Sequence, residues 1–139
     1  MKKLLYSFLI LSSATLFAQK KLAVADNMIG TEDLFKSNVP QMQVLKAYNS
    51  AASLPANLKK YSSVFTNGVT VYKFKGNNVL DRMTLAQLNK QNDIPADNSV
   101  FIDDQEFTDS STKIFTAIIA KAEKKDHNGK PAFFIYTTK

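Results

Sequence analysis

At 139 residues, 45% hydrophobic and 22% charged, the chain has room for one globular domain, and its composition excludes a disordered or fibrous protein. The absence of cysteine excludes a disulfide framework and a cysteine-linked lipid anchor, and with a single histidine it leaves little to hold zinc. The formal charge of +6 falls to +4 without Lys2 and Lys3 (16 basic against 12 acidic residues), and the scattered lysines argue against a nucleic-acid surface.

The first element is an address. Lys2 and Lys3 precede the apolar run Leu4-Leu5-Tyr6-Ser7-Phe8-Leu9-Ile10-Leu11, which thins into Leu16-Phe17-Ala18. That is the tripartite pattern of a secretory signal, with the cut expected after Ala18. The run is short for a membrane span, which needs roughly 20 residues. An uncleaved anchor or a buried helix is the competing reading. Residues 19–139 are then expected to form a single small α/β domain, periplasmic or secreted, with no transmembrane segment after signal removal.

Within it, residues 19–40 carry a weak pattern and predict a loosely ordered arm, with Thr31 capping a short helical turn over Glu32–Phe35. Asn38-Val39-Pro40 should end that turn. Gln41–Ala47 is either strand or helix, too short for periodicity to decide. Pro55–Phe65 predicts a helix with Leu54, Leu58, Tyr61, Val64 and Phe65 on its inner face, capped by Ser53 and stopped at Asn67-Gly68. A hairpin turning on Asn67-Gly68 is the alternative. Val69–Lys75 predicts a strand with Thr70, Tyr72 and Phe74 on one face and Val71, Lys73 and Lys75 on the other, exposed or near an edge. Gly76-Asn77-Asn78 should turn the chain.

Thr84-Leu85-Ala86-Gln87 has capping-box spacing and predicts a short helix ending near Gln91. Ser99–Ile102 predicts a central buried strand. Asp109 or Ser110 is expected to cap a further helix with Ile114, Phe115, Ile118 and Ile119 inward. The stretch from Ile119 to Lys125 continues that helix or becomes a strand. Asp126-His127-Asn128-Gly129 predicts a turn, and Pro131–Thr138 a strand, so that a hairpin closes the chain. The fold class is therefore α+β: a small mixed sheet with short helices and a β-α-β-hairpin order in the C-terminal half.

In their order, Asn67-Gly68-Val69-Thr70-Val71, Val100-Phe101-Ile102-Asp103, Ile119 through Ala122-Glu123-Lys124-Lys125, and Asn128-Gly129 with Phe134-Ile135-Tyr136-Thr137-Thr138-Lys139 resemble the plug domain of TonB-dependent outer-membrane receptors. The resemblance runs from about Leu54 to Lys139. Asp104 stands where the family's Asp-Gly turn has glycine, Ala122 where it has an apolar β-former, and no barrel is expected after the plug-like segment. The resemblance thus implies a local α/β shape and an envelope context, and not the family's transport.

For chemistry, Asp103, Asp104, Glu106 and Asp109 form the one acidic cluster, and they are the candidate metal ligands or acid–base pair. Their spacing is not that of an EF-hand loop, and a solvated turn before a helix explains them as well. His127 lies in a polar turn without an orienting partner. The serines sit in no nucleophile elbow and the four glycines form no phosphate loop. Tyr72, Phe74, Phe133, Phe134 and Tyr136 line a binding face or, as aromatics at strand spacing usually do, a core. The expectation is an exported binding or assembly module of the cell envelope with a protein partner, no cofactor and no nucleic acid. A small secreted hydrolase or calcium-dependent protein built on the acids is the alternative.

Overall fold

The computed structural model describes residues 20–38, 41–76 and 80–138. The expected signal at 1–18, the Val39-Pro40 break and the Asn77-Asn78 part of the expected turn lie outside the described residues.

The described residues begin with a hairpin of β1 (Leu22–Ala25) and β2 (Met28–Thr31). Its two-residue loop, Asp26-Asn27, has φ of 50° and 62°. Such turns need positive φ at both positions, and Asp and Asn tolerate it best after glycine. The segment expected to be a loose arm is instead the middle of a six-stranded sheet. Its alternation was hidden because both faces are buried: Leu22, Val24 and Ile29 pack into one cluster, Ala23, Ala25 and Met28 into another. Thr31 does cap the following helix α1 (Glu32–Lys36), its Oγ1 accepting from Leu34 N at 3.1 Å. With so few residues, α1 depends on packing, which Phe35 supplies. That ring is fully buried and lies 5.0 Å from Tyr72 and 5.5 Å from Phe115.

The ambiguous Gln41–Ala47 segment is a strand, β3 (Met42–Tyr48). Next come two 3₁₀ turns, Ala51–Ser53 and Ala56–Tyr61, in place of one helix over 55–65. Ser53 does not cap the second turn, which starts at Pro55 without a side-chain cap; it forms a reciprocal capping box with Ser50 around the first. The expected inner face survives the change, since Leu54, Leu58, Tyr61 and Phe65 are all buried. Gly68 ends this stretch at φ 86°, where a Cβ would stand 1.8 Å from the Tyr48 carbonyl oxygen. No hairpin turns there. The chain enters β4 (Val69–Phe74), which pairs antiparallel with β3 and parallel with β1.

β5 (Arg82–Thr84) leads into α2 (Leu85–Gln91), where the capping box forms as expected: Gln87 N donates to Thr84 Oγ1, and Thr84 N to Gln87 Oε1. β6 (Val100–Ile102) is wholly buried, and β7 (Gln105–Phe107) folds back on it. The expected helix after Asp109 does not form. Lys113–Phe115 is a strand, β8, followed by a 3₁₀ turn at Thr116–Ile118. Ile114, Phe115 and Ile118 are nevertheless buried. In β8, Ile114 and Phe115 point to opposite clusters, so adjacent apolar residues satisfy a two-faced strand as readily as a helix. β9 (Lys121–His127) and β10 (Lys130–Tyr136) form the expected closing hairpin around Asn128-Gly129, at φ 54° and 80°.

The strands form two mixed sheets, ordered β3-β4-β1-β2-β8-β5 and β7-β6-β10-β9, and the fold is α+β. Val24, Ile29, Val69 and Ile114 from the first sheet share one buried cluster with Val100, Ile102, Phe133 and Ile135 from the second. Among the described residues no helix is long and apolar enough to cross a membrane. If the N-terminal segment belongs to the core, Phe35→Ala should cost about 3–5 kcal/mol in urea unfolding. A loose arm would lose less than about 0.5 kcal/mol.

Candidate functional site

The four acids singled out in the sequence do not converge. Asp103 and Asp104 are the loop of the β6–β7 hairpin, at φ 49° and 66°. Asp103 is buried, its Oδ1 accepting from Thr137 N at 3.0 Å and its Oδ2 from Thr137 Oγ1. Thr137 Oγ1 in turn accepts from Lys20 N at 3.2 Å. The carboxylate therefore joins the β6–β7 turn to the end of β10 and to the start of the described chain. Asp104 and Glu106 are exposed.

Asp109 is a local turn residue, accepting from Ser111 N at 3.0 Å and from Ser111 Oγ, with Lys60 Nζ at 2.7 Å. The hydrogen bonds from Lys60 and then Ser111 hold its carboxyl down to about 2, and the Asp109 bond raises Lys60. Glu106 and Asp109 border the same hollow of about 350 Å³ with Lys60 and Tyr61, so these two are neighbours while Asp103 is committed elsewhere. No group of three metal-ligating side chains gathers among the described residues. His127 lies on Phe101, ring centroids 4.6 Å apart. His127 is the last residue of β9 and not part of the turn, and its packing role carries no signal in the sequence.

The sheet edges offer more. Two sheets have four edges, and open strand edges template pairing with foreign chains unless they are short, charged or bulged. β5 and β7 have three residues each. β9 is long but carries Lys121, Glu123, Lys124, Lys125 and Asp126 in seven residues. Lys125 Nζ lies 3.2 Å from Glu123 and donates to Tyr136 Oη at 3.1 Å, while Tyr136 donates to Glu123 at 3.1 Å. β3 differs from all three: seven residues with Lys46 as the one charge.

Among the described residues, the large hydrophobic side chains left in solvent are Val44 and Leu45, 59% and 60% exposed, adjacent on this edge. The β3–β4 register shifts between Val44 and Lys46, leaving Leu45 without a cross-strand partner. Val44 therefore stands opposite Tyr72, and Lys46 opposite Val71 on the other face. Leu45 borders a groove of about 390 Å³ with Tyr48, Pro55, Leu58, Val71 and Lys73, and Asp26 lies on the same groove. Gln41–Ala47 carries no functional signal of its own. Val44-Leu45 is the kind of apolar pair that any reading assigns to a core.

Two substitutions separate turn from metal site. Asp104→Gly should raise stability by about 1 kcal/mol, because glycine relieves the positive φ, whereas loss of a metal ligand would abolish any calcium-dependent rise in Tm. Asp109→Asn should cost less than about 1 kcal/mol at pH 7, the pair being substantially solvent-exposed (side chains 51% and 37%). Because folding lowers this carboxyl's pKa, that contribution is complete above pH 4 and disappears as pH falls through about 2. Thermal scans of both proteins across that window should converge at the acid end.

Comparison with protein-family models, with curated proteins and with solved structures finds no match to this chain.

Proposed function

We propose that the chain is an exported, non-enzymatic binding or assembly module of the cell envelope, engaging a protein partner by adding that partner's strand to β3. The observation that carries the reading is the contrast among edges. Three are defended by shortness or charge, while β3 presents seven residues with Val44 and Leu45 in water. Strand addition supplies main-chain hydrogen bonds for affinity, and side-chain pockets beside the edge supply selectivity. The groove at Leu45 is such a pocket.

The plug-like resemblance supports the envelope context. Three of its four motifs lie on β6, on β9 and on the turn and strand of β10, which are neighbours in one sheet. The family's Asp-Gly turn corresponds to Asp103-Asp104, and position 104 has the positive φ that glycine would adopt freely. The Lys2–Ala18 pattern supports export.

The test takes the full chain expressed in its native cell. The mature protein is expected to begin at Gln19 and to fractionate with the envelope. A photocrosslinker replacing Leu45 is expected to join it to an envelope protein, and one replacing Lys124 on the β9 edge is not. A protein that retains Met1 and fractionates with cytosolic markers, or that crosslinks equally from both edges, overturns the reading.

A further inference from the structure

We infer that the β3 edge takes an extended acidic segment of a partner protein, alternating apolar residues with Asp or Glu, and not a second copy of this chain. The inference rests on the strand-addition reading above and names the partner's chemistry.

Charge selects the occupant. Lys46 lies on the edge itself; Lys73 stands opposite Gln43 on the adjacent strand; Lys75 follows directly, its N–H donating to Gln41 O at 2.8 Å. Asp26 is the acidic member of the groove lining. An added strand would run its side chains alternately over the two faces. On the groove face an apolar side chain fits beside Leu45, Tyr48 and Val71, and a carboxylate one step along that face reaches Lys46 or Lys73. On the opposite face Val44 offers a second apolar contact.

Self-pairing fails on the same charges. A two-fold antiparallel pairing of β3 with β3 would bring both copies of Lys46 to the shared edge, with Lys73 and Lys75 of each copy one strand behind and the +4 mature domains repelling as well. A basic segment would meet the same repulsion. An uncharged apolar segment would use Leu45 and leave the lysines idle.

The test uses two synthetic peptides of about ten residues, long enough for a strand: one alternating valine with glutamate, the other valine with lysine. Titrated into the isotopically labelled full chain, the glutamate peptide is expected to shift and protect amides within 42–48 and to weaken with salt. The lysine peptide is expected to bind at least about tenfold more weakly. Leu45→Ala, at an exposed position, should leave Tm within a few degrees and weaken the glutamate peptide about tenfold. The double change Lys46→Glu with Lys73→Glu should reverse the preference between peptides. Equal binding of both peptides, amide changes confined to other strands, or a wild-type dimer that dissociates on Leu45→Ala each overturns the inference. An envelope-located protein that ignores the glutamate peptide removes this inference and leaves the export reading standing; a cytosolic protein that binds it does the reverse.

Discussion

A sheet that is apolar on one side must hide that side, and here two sheets hide theirs against each other. Val24, Ile29, Val69 and Ile114 of the first sheet meet Val100, Ile102, Phe133 and Ile135 of the second, and the turns carrying Leu58, Tyr61 and Phe65 close the layer. Burial at about 25 cal/mol per Å² makes this shared layer the main force holding the domain. It also dictates the rest. The six-stranded sheet has a second face to cover, and α1 with Phe35, together with Tyr72, Phe115 and Ile118, covers it. Gly30 permits this, since a Cβ there would lie 2.5 Å from Phe35 Cζ.

That double burial explains which elements were legible. The capping box at Thr84–Gln87, the central strand Val100–Ile102 and the closing hairpin each carry a local signal that tertiary packing does not alter. Residues 22–31 and 113–118 carry no such signal. Their strands are buried on both faces, so the polar–apolar alternation that betrays a half-buried strand is missing. Ile114 and Phe115 looked like neighbours on a helical face and instead look into different clusters. The 56–61 turn shows the converse: its buried positions were right while its hydrogen-bond pattern was 3₁₀, because short turns of either kind present nearly the same face.

Three hairpins depend on residues held at positive φ: Asp26-Asn27, Asp103-Asp104 and Asn128-Gly129. The last was legible because Asn-Gly is the strongest such dipeptide, and the other two were not because Asp and Asn serve equally well in ordinary loops. The apparent acidic cluster follows directly. Three of its members are turn residues: Asp103, held by Thr137, Asp104 beside it, and Asp109, held by Ser111 and Lys60. Acidic residues close in sequence are driven apart when each is the local solution to a different backbone problem.

The candidate edge was illegible for a different reason. Exposure of Val44 and Leu45 is a property of where β3 falls in the strand order, and strand order is fixed by long-range pairings: β4 with β1 in parallel, β2 with β8 in parallel. Those crossovers put β3 outermost. Once it is there, the bulge at Leu45 turns Lys46 to the face of Val71 and away from that of Val44, so the strand's one charge does not screen its apolar neighbour. A defended edge would carry its charges as β9 does, beside the backbone groups they protect. The difference between β3 and β9 is thus a difference in how the same domain treats two equally long edges. The strand addition proposed above rests on this asymmetry.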